Sequence, residues 1–215
     1  MGIESPDMEK VKWRGRIVSV QPRIRLLRSF DIRYHNYLGY ILAINGRYGD
    51  ETGEFLIAVG KAAHDNYRFQ VGMELSGESF MVRDPRLETA QYYKTSKIEI
   101  VKLPEAPSPK GPPFLVVPPD LPTYRERGHR RLDPRTYDAR CSTCIWGCRM
   151  PVEMTIDQWN PSQKKYRFET FCYGPKSCRL YRAGAIRKVP GRKGMVWEEE
   201  AWVDEEATSH RGPDD

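Results

Sequence analysis

The sequence has no apolar run near the ~18 residues that suggest a membrane-spanning helix, so no membrane association is expected. Its opening, MGIESPDMEKVK, carries early acids and no apolar stretch of signal-peptide type, so a secretory signal is not expected and a cytoplasmic location is. Histidine is scarce: His35, His64, His129 and His210 are scattered. P-loop, G-x-S-x-G, H-E-x-x-H and paired-glycine dinucleotide motifs are missing, so a non-enzymatic role is the expectation. Cysteine is absent before Cys141, and all five cysteines lie between Cys141 and Cys178. An odd, clustered set argues against a secreted disulfide scaffold and for metal in a reducing compartment.

The chain holds 215 residues, 35 Lys+Arg against 29 Asp+Glu, and a net charge of +6. At ~100–200 residues per domain this length allows one or two domains. Composition divides it into an N-terminal arm (1–9), a β-rich region (10–103), a proline-rich linker (104–124), an Arg-rich approach with the cysteine cluster (125–195) and an acidic tail (196–215). The linker's PEAPSPKGPPFLVVPPDLP is expected to be extended, because proline lacks the N–H and restricts the residue before it. Its FLVV patch has the character to pack on a neighbour.

In the β-rich region Val11, Trp13, Gly15 and Ile17 alternate with Lys12, Arg14 and Arg16, which predicts a strand with one buried and one basic face. Strands are also expected at 37–45, 54–59, around GMELSGESFMV with Gly77 a bulge or bend, and at 97–102. GKAAHDNYRFQVG suits a short helix. The Arg-rich piece around 22–34 either extends the first hairpin or forms an inserted loop. The order β-β-β-α-β-β is that of a five-stranded Greek-key barrel. The run GEFLIAVGKAAHDNYRFQVGMELSGESF resembles the third strand, connecting helix and fourth strand of OB-fold nucleic-acid-binding domains. The resemblance covers roughly residues 10–102 and implies that fold and that ligand class. The fold class expected is therefore mainly β: an OB-like barrel with a short helix, plus a small hairpin module.

That module is defined by CSTCIWGC and, later, CYGPKSC. Between them MPVEMTIDQW and KKYRFETFC alternate around an Asn-Pro-Ser turn, so a hairpin brings the thiols at its two ends together. This layout resembles a zinc ribbon. Four thiolates would hold Zn²⁺ tetrahedrally and stabilise a segment too poor in aliphatic residues to bury much core. The expected ligands are Cys141, Cys144, Cys172 and Cys178, with Cys148 the spare or a substitute for Cys144, and His129 a weaker candidate. An iron–sulfur cluster is the alternative cofactor, since Cys-x2-Cys-x3-Cys with a distant Cys can hold a cubane.

The expected partner is nucleic acid, single-stranded DNA or RNA. Lys12, Arg14, Arg16, Arg23, Arg25 and Arg33 supply charge for phosphates, Tyr37 a ring for stacking, and Arg130 and Arg131 a second basic stretch beside the metal module. Two rivals remain at this point: a protein-interaction or assembly module that uses its barrel face for a partner or a second copy, and an iron–sulfur redox protein. The acidic tail, with Trp197 and Trp202 among its carboxylates, is either a solvated end or a cover for a basic groove.

Overall fold

The computed structural model describes residues 9–104, 111–199 and 202–215. It is mainly β, built on one mixed eight-stranded sheet. The strands are β1 (Val11–Arg28), β2 (Arg33–Tyr48), β3 (Glu51–Val59), β4 (Glu74–Met81), β5 (Tyr92–Lys102), β6 (Arg130–Arg131), β7 (Gly147–Thr155) and β8 (Lys164–Cys172). A separate two-stranded sheet joins β9 (Lys188–Pro190) to β10 (Val196–Glu198). Helices are short: α1 (Lys61–Tyr67), α2 (Leu121–Arg127), α3 (Pro134–Thr136), which runs into a π turn over Tyr137–Cys141, and α4 (Trp202–Thr208). Among the described residues no helix is long and apolar enough to cross a membrane.

The Arg-rich piece after Pro22 is not a loop. It extends the first hairpin, with Ile24 opposite Tyr37 and Arg28 opposite Arg33. The second strand accordingly begins at Arg33, four residues earlier than its apolar run suggests. That extension alternates arginine with Ile24 and Leu26, which are buried, so its basic composition hides a strand with a full core face. Gly39 stands opposite Arg23 where the register shifts; its φ of 138° is closed to other residues, and a Cβ there would sit 2.1 Å from the Val59 carbonyl.

β1 pairs antiparallel with β2 and with β4, β2 with β3, and β4 with β5, while β3 meets β5 through one parallel pair, Ile57 with Tyr92. Ile17, Val20, Leu42, Ile44, Phe55, Ile57 and Leu75, from these strands, belong to one buried cluster. The end of β1 also takes β7 as a parallel neighbour, Leu26 opposite Val152, and β7 and β8 form the hairpin expected between the cysteine pairs. Cys148, Met150, Val152, Phe171 and Tyr173 thereby belong to the same buried cluster as the first five strands.

The proline-rich segment is described from Gly111 onward. Its chain is tied down by Tyr40, whose hydroxyl donates to the Pro119 carbonyl at 2.7 Å, and by His64 against the Pro118 carbonyl at 3.1 Å. From Leu121 it is helical, so α2 starts inside the stretch read as linker.

Candidate metal centre and binding cleft

The β7–β8 hairpin places Cys172 directly opposite Gly147, three residues after Cys144. Tight turns precede and follow it: the Cys144 N–H donates to the Cys141 carbonyl at 3.1 Å, and the Cys178 N–H to that of Pro175 at 3.1 Å. Cys141, Cys144, Cys172 and Cys178 all line one cavity of about 10 Å³, closed by Pro113, Phe114, Trp146 and Tyr181. That is room for about one water-sized particle. Cys148 is elsewhere. It is fully buried in the main core, its thiol donating to the Pro22 carbonyl at 3.4 Å. Cys148 is the one cysteine that does not line this cavity, because it lies within β7, where alternation turns its side chain into the sheet core. His129 packs against His35 and Phe171, with ring centroids at 4.5 and 4.9 Å.

The thiols are neighbours rather than an assembled coordination sphere. Among the described residues no three His, Cys, Asp or Glu side chains converge at ion-holding spacing. Burial, reinforced by the other three sulfurs, pushes Cys141 up to about 12, and burial pushes Cys144 up to about 11; Cys172 is raised by burial as well. Thiols raised in this way have no electrostatic reason to close on a point. A divalent cation would supply one, since it deprotonates the thiols it binds. The donor set fits a borderline-soft ion such as Zn²⁺.

The turn bearing Cys141 and Cys144 is fastened to β1. Gln21 Nε2 donates to the carbonyls of both Cys141 and Cys144 at 2.9 Å, and its Oε1 accepts from the Tyr137 hydroxyl at 2.6 Å. Ser19 Oγ donates to the Ser142 carbonyl at 3.0 Å. Gly147 permits the approach: a Cβ there would stand 2.3 Å from the Cys141 carbonyl oxygen and 2.8 Å from Gln21 Nε2.

Beside this fastening lies a cleft of about 800 Å³. Its floor is the outer face of β1–β3, where cross-strand partners share a side. Ser19 faces Ala43, which faces Leu56, and Gln21 faces Ile41. One wall comes from the β4–β5 connection (Val82, Pro85, Glu88, Thr89), the other from Tyr137, Asp138, Ser142, Thr143, Arg149 and Phe168. The same outer face continues into basic rows: Arg14 pairs across to Arg47, and Arg16 to Asn45.

The chain matches no family model, no curated protein and no solved structure. The positions of its own side chains must therefore carry the functional argument.

The candidate nucleic-acid cations separate into three groups. Lys12, Arg14 and Arg16 are exposed. Arg14 reaches Glu74 at 2.8 Å, while among the described residues Lys12 and Arg16 make no ion pair. Arg23 and Arg25 edge the cleft's side of β1; Arg23 is paired with Glu88, and Arg25 donates to the Leu87 carbonyl at 3.1 Å. Arg33, Arg130 and Arg131 face inward. Arg33 binds Glu199 at 2.8 Å, Arg131 binds Asp204 at 2.9 Å, and Arg130 donates to the Pro175 carbonyl at 2.9 Å while lying 3.9 Å over the Tyr181 ring. Tyr37 is half-buried beneath Arg125. The acidic tail thus meets Arg28, Arg33 and Arg131 in pairs buried within the fold.

Sequence reasoning missed Arg47, Gln21, Ser19 and Tyr137. Arg47 lies beyond the strand expected at 37–45, although the alternation Ile41, Ala43, Asn45, Arg47 carries the outer face to it. Gln21 and Ser19 were hidden because a register shift between Ile17 and Ser19 reverses the parity of β1.

Proposed function

We propose that this is a non-enzymatic nucleic-acid-binding protein. In this reading the first five strands form an OB-type barrel whose outer β1–β3 face grips a single strand, and a Cys₄ hairpin built like a zinc ribbon braces one wall. The observation that carries it is the continuity of that face: Lys12, Arg14, Arg16 and Arg47 at one end, an apolar floor of Ile41, Ala43 and Leu56 at the other. Cations of this kind neutralise phosphates, and an apolar floor beside Tyr92, Tyr137 and Phe168 suits unstacked bases. Glu54 and Asp138 in the cleft repel phosphate and leave that space to the bases. Arg33, Arg130 and Arg131, spent inside the fold, are not part of the proposed surface.

For the metal, Cys141, Cys144, Cys172 and Cys178 would hold one Zn²⁺. A cavity with room for about one water-sized particle favours a single ion over an iron–sulfur cubane. Elemental analysis of protein purified without added metal should return one equivalent of zinc and no iron.

The interface is tested by anisotropy with a labelled single-stranded oligonucleotide at ~50 mM salt, where phosphate contacts remain strong. The wild type should bind, and R14E/R16E/R47E should bind at least about tenfold more weakly, while R130Q, if folded, keeps its affinity. Absence of wild-type binding to DNA and RNA overturns the reading.

A further inference from the structure

We propose that the Cys141–Cys144 turn serves two sites at once, so that an ion held by the thiols and a single strand held in the cleft bind cooperatively. This rests on the nucleic-acid reading above and adds its regulation. Cys141 and Cys144 line the thiol cavity, while Ser142 and Thr143, between them in the chain, wall the cleft. The joint is Gln21. Its amide uses both ends, donating to the two cysteine carbonyls and accepting from Tyr137, another residue of the cleft wall. Gln21 also belongs to the cleft floor.

A single amide can reach both carbonyls only while the turn is tight. An ion demands the same tightness, because both sulfurs must lie ~2.3 Å from it. Ion binding therefore fixes the turn, the turn fixes Gln21, and Gln21 fixes floor against wall. A bound strand selects the same arrangement from the other side. Linkage makes the effect mutual: zinc must raise affinity for the strand by the factor by which the strand raises affinity for zinc.

The experiment uses the full chain, Zn²⁺ and a fluorescein-labelled oligothymidylate. Zinc-loaded protein should bind the oligonucleotide at least about fivefold more tightly than chelator-treated protein, and the oligonucleotide should tighten zinc binding, measured by equilibrium competition with a chromophoric chelator, by the same factor. Gln21→Met keeps the volume and should retain zinc while the factor falls to about one. Hydrogen exchange supplies a readout without nucleic acid. Zinc should slow exchange over Tyr137–Cys144 and also over Ser19–Arg23 in the wild type, but only over the first segment in Gln21→Met. Equal oligonucleotide affinity with and without zinc, or zinc protection that never reaches Ser19–Arg23, overturns the coupling. If zinc-loaded protein binds no oligonucleotide, the nucleic-acid reading falls, and the exchange pattern still decides whether Gln21 is the joint.

Discussion

Two side chains show how much a single polar group decides in this molecule. Gln21 is buried with every hydrogen bond of its amide oxygen and nitrogen directed at the 137–144 segment. Gln21→Ala leaves the Tyr137 hydroxyl without its partner and takes one donor from each of the Cys141 and Cys144 carbonyls, which keep the backbone N–H groups of Cys144 and Gly147; an orphaned buried group costs about 1–3 kcal/mol. Urea unfolding should show a loss in that range with an unchanged m value. His129 is the second case. Arg33 Nη2 donates to its Nε2, which requires a neutral ring with a lone pair there. Burial and then the neighbouring His35 and Arg33 hold His129 well below the ordinary imidazole range, and burial followed by Arg33 lowers His35 to about 3. Both folded values are depressed, so the unfolded chain binds more protons. The stability carried by the neutral rings is whole above pH ~6.5 and is lost as pH falls below it, at up to about 1.4 kcal/mol per pH unit for each ring. Chemical denaturation between pH 7 and pH 5, pH values chosen to span about that range, should show this slope, and His129→Gln should shallow it.

At the scale of elements, the β7–β8 hairpin is where sequence and structure agree best. Alternation on both arms and an Asn-Pro-Ser turn are local signals; the second arm falls where they put it, while the first starts three residues earlier and ends four residues sooner than MPVEMTIDQW. The side of the sheet on which Cys148 falls was not legible, because it depends on β7 lying beside β1, a pairing across more than half the sequence. The extended first hairpin was legible only as an alternative, since arginine-rich strands and arginine-rich loops look alike until the core partners of Ile24 and Leu26 are known. Three of the four residues of the outer-face row were legible, Lys12, Arg14 and Arg16 from alternation; Arg47 was not, because the turn between β2 and β3 is tighter than its glycine-rich sequence suggests. Gly147 marks the contact between hairpin and turn. Gly147→Ala drives a methyl into the Cys141 carbonyl and Gln21, and overpacking of this kind costs about 1–3 kcal/mol. Thermal unfolding should register it, and the loss should be larger in zinc-loaded protein, where the turn has less freedom to retreat.

For the whole molecule, charge is divided between structure and surface. Glu169 and Glu199 gather Arg28, Arg33 and Arg187 into a buried network, and Asp204 on α4 takes Arg131. The Glu199 pairs join the C-terminal segment to the end of the first hairpin, so Glu199→Gln leaves buried guanidinium groups short of a partner, a loss of about 3–5 kcal/mol for a broken buried pair. Among the exposed cations, Lys12, Arg14, Arg16 and Arg47 form a row on the outer face of β1 and β2, beside a cleft braced by the thiol-bearing turn. Its most direct test is the salt dependence of single-strand binding. With Lys12, Arg14, Arg16 and Arg47 each neutralising a phosphate, a plot of log affinity against log salt should have a slope of about −2.8, falling by about 0.7 for each of these residues removed. A slope near zero, or one indifferent to their removal, would contradict the account.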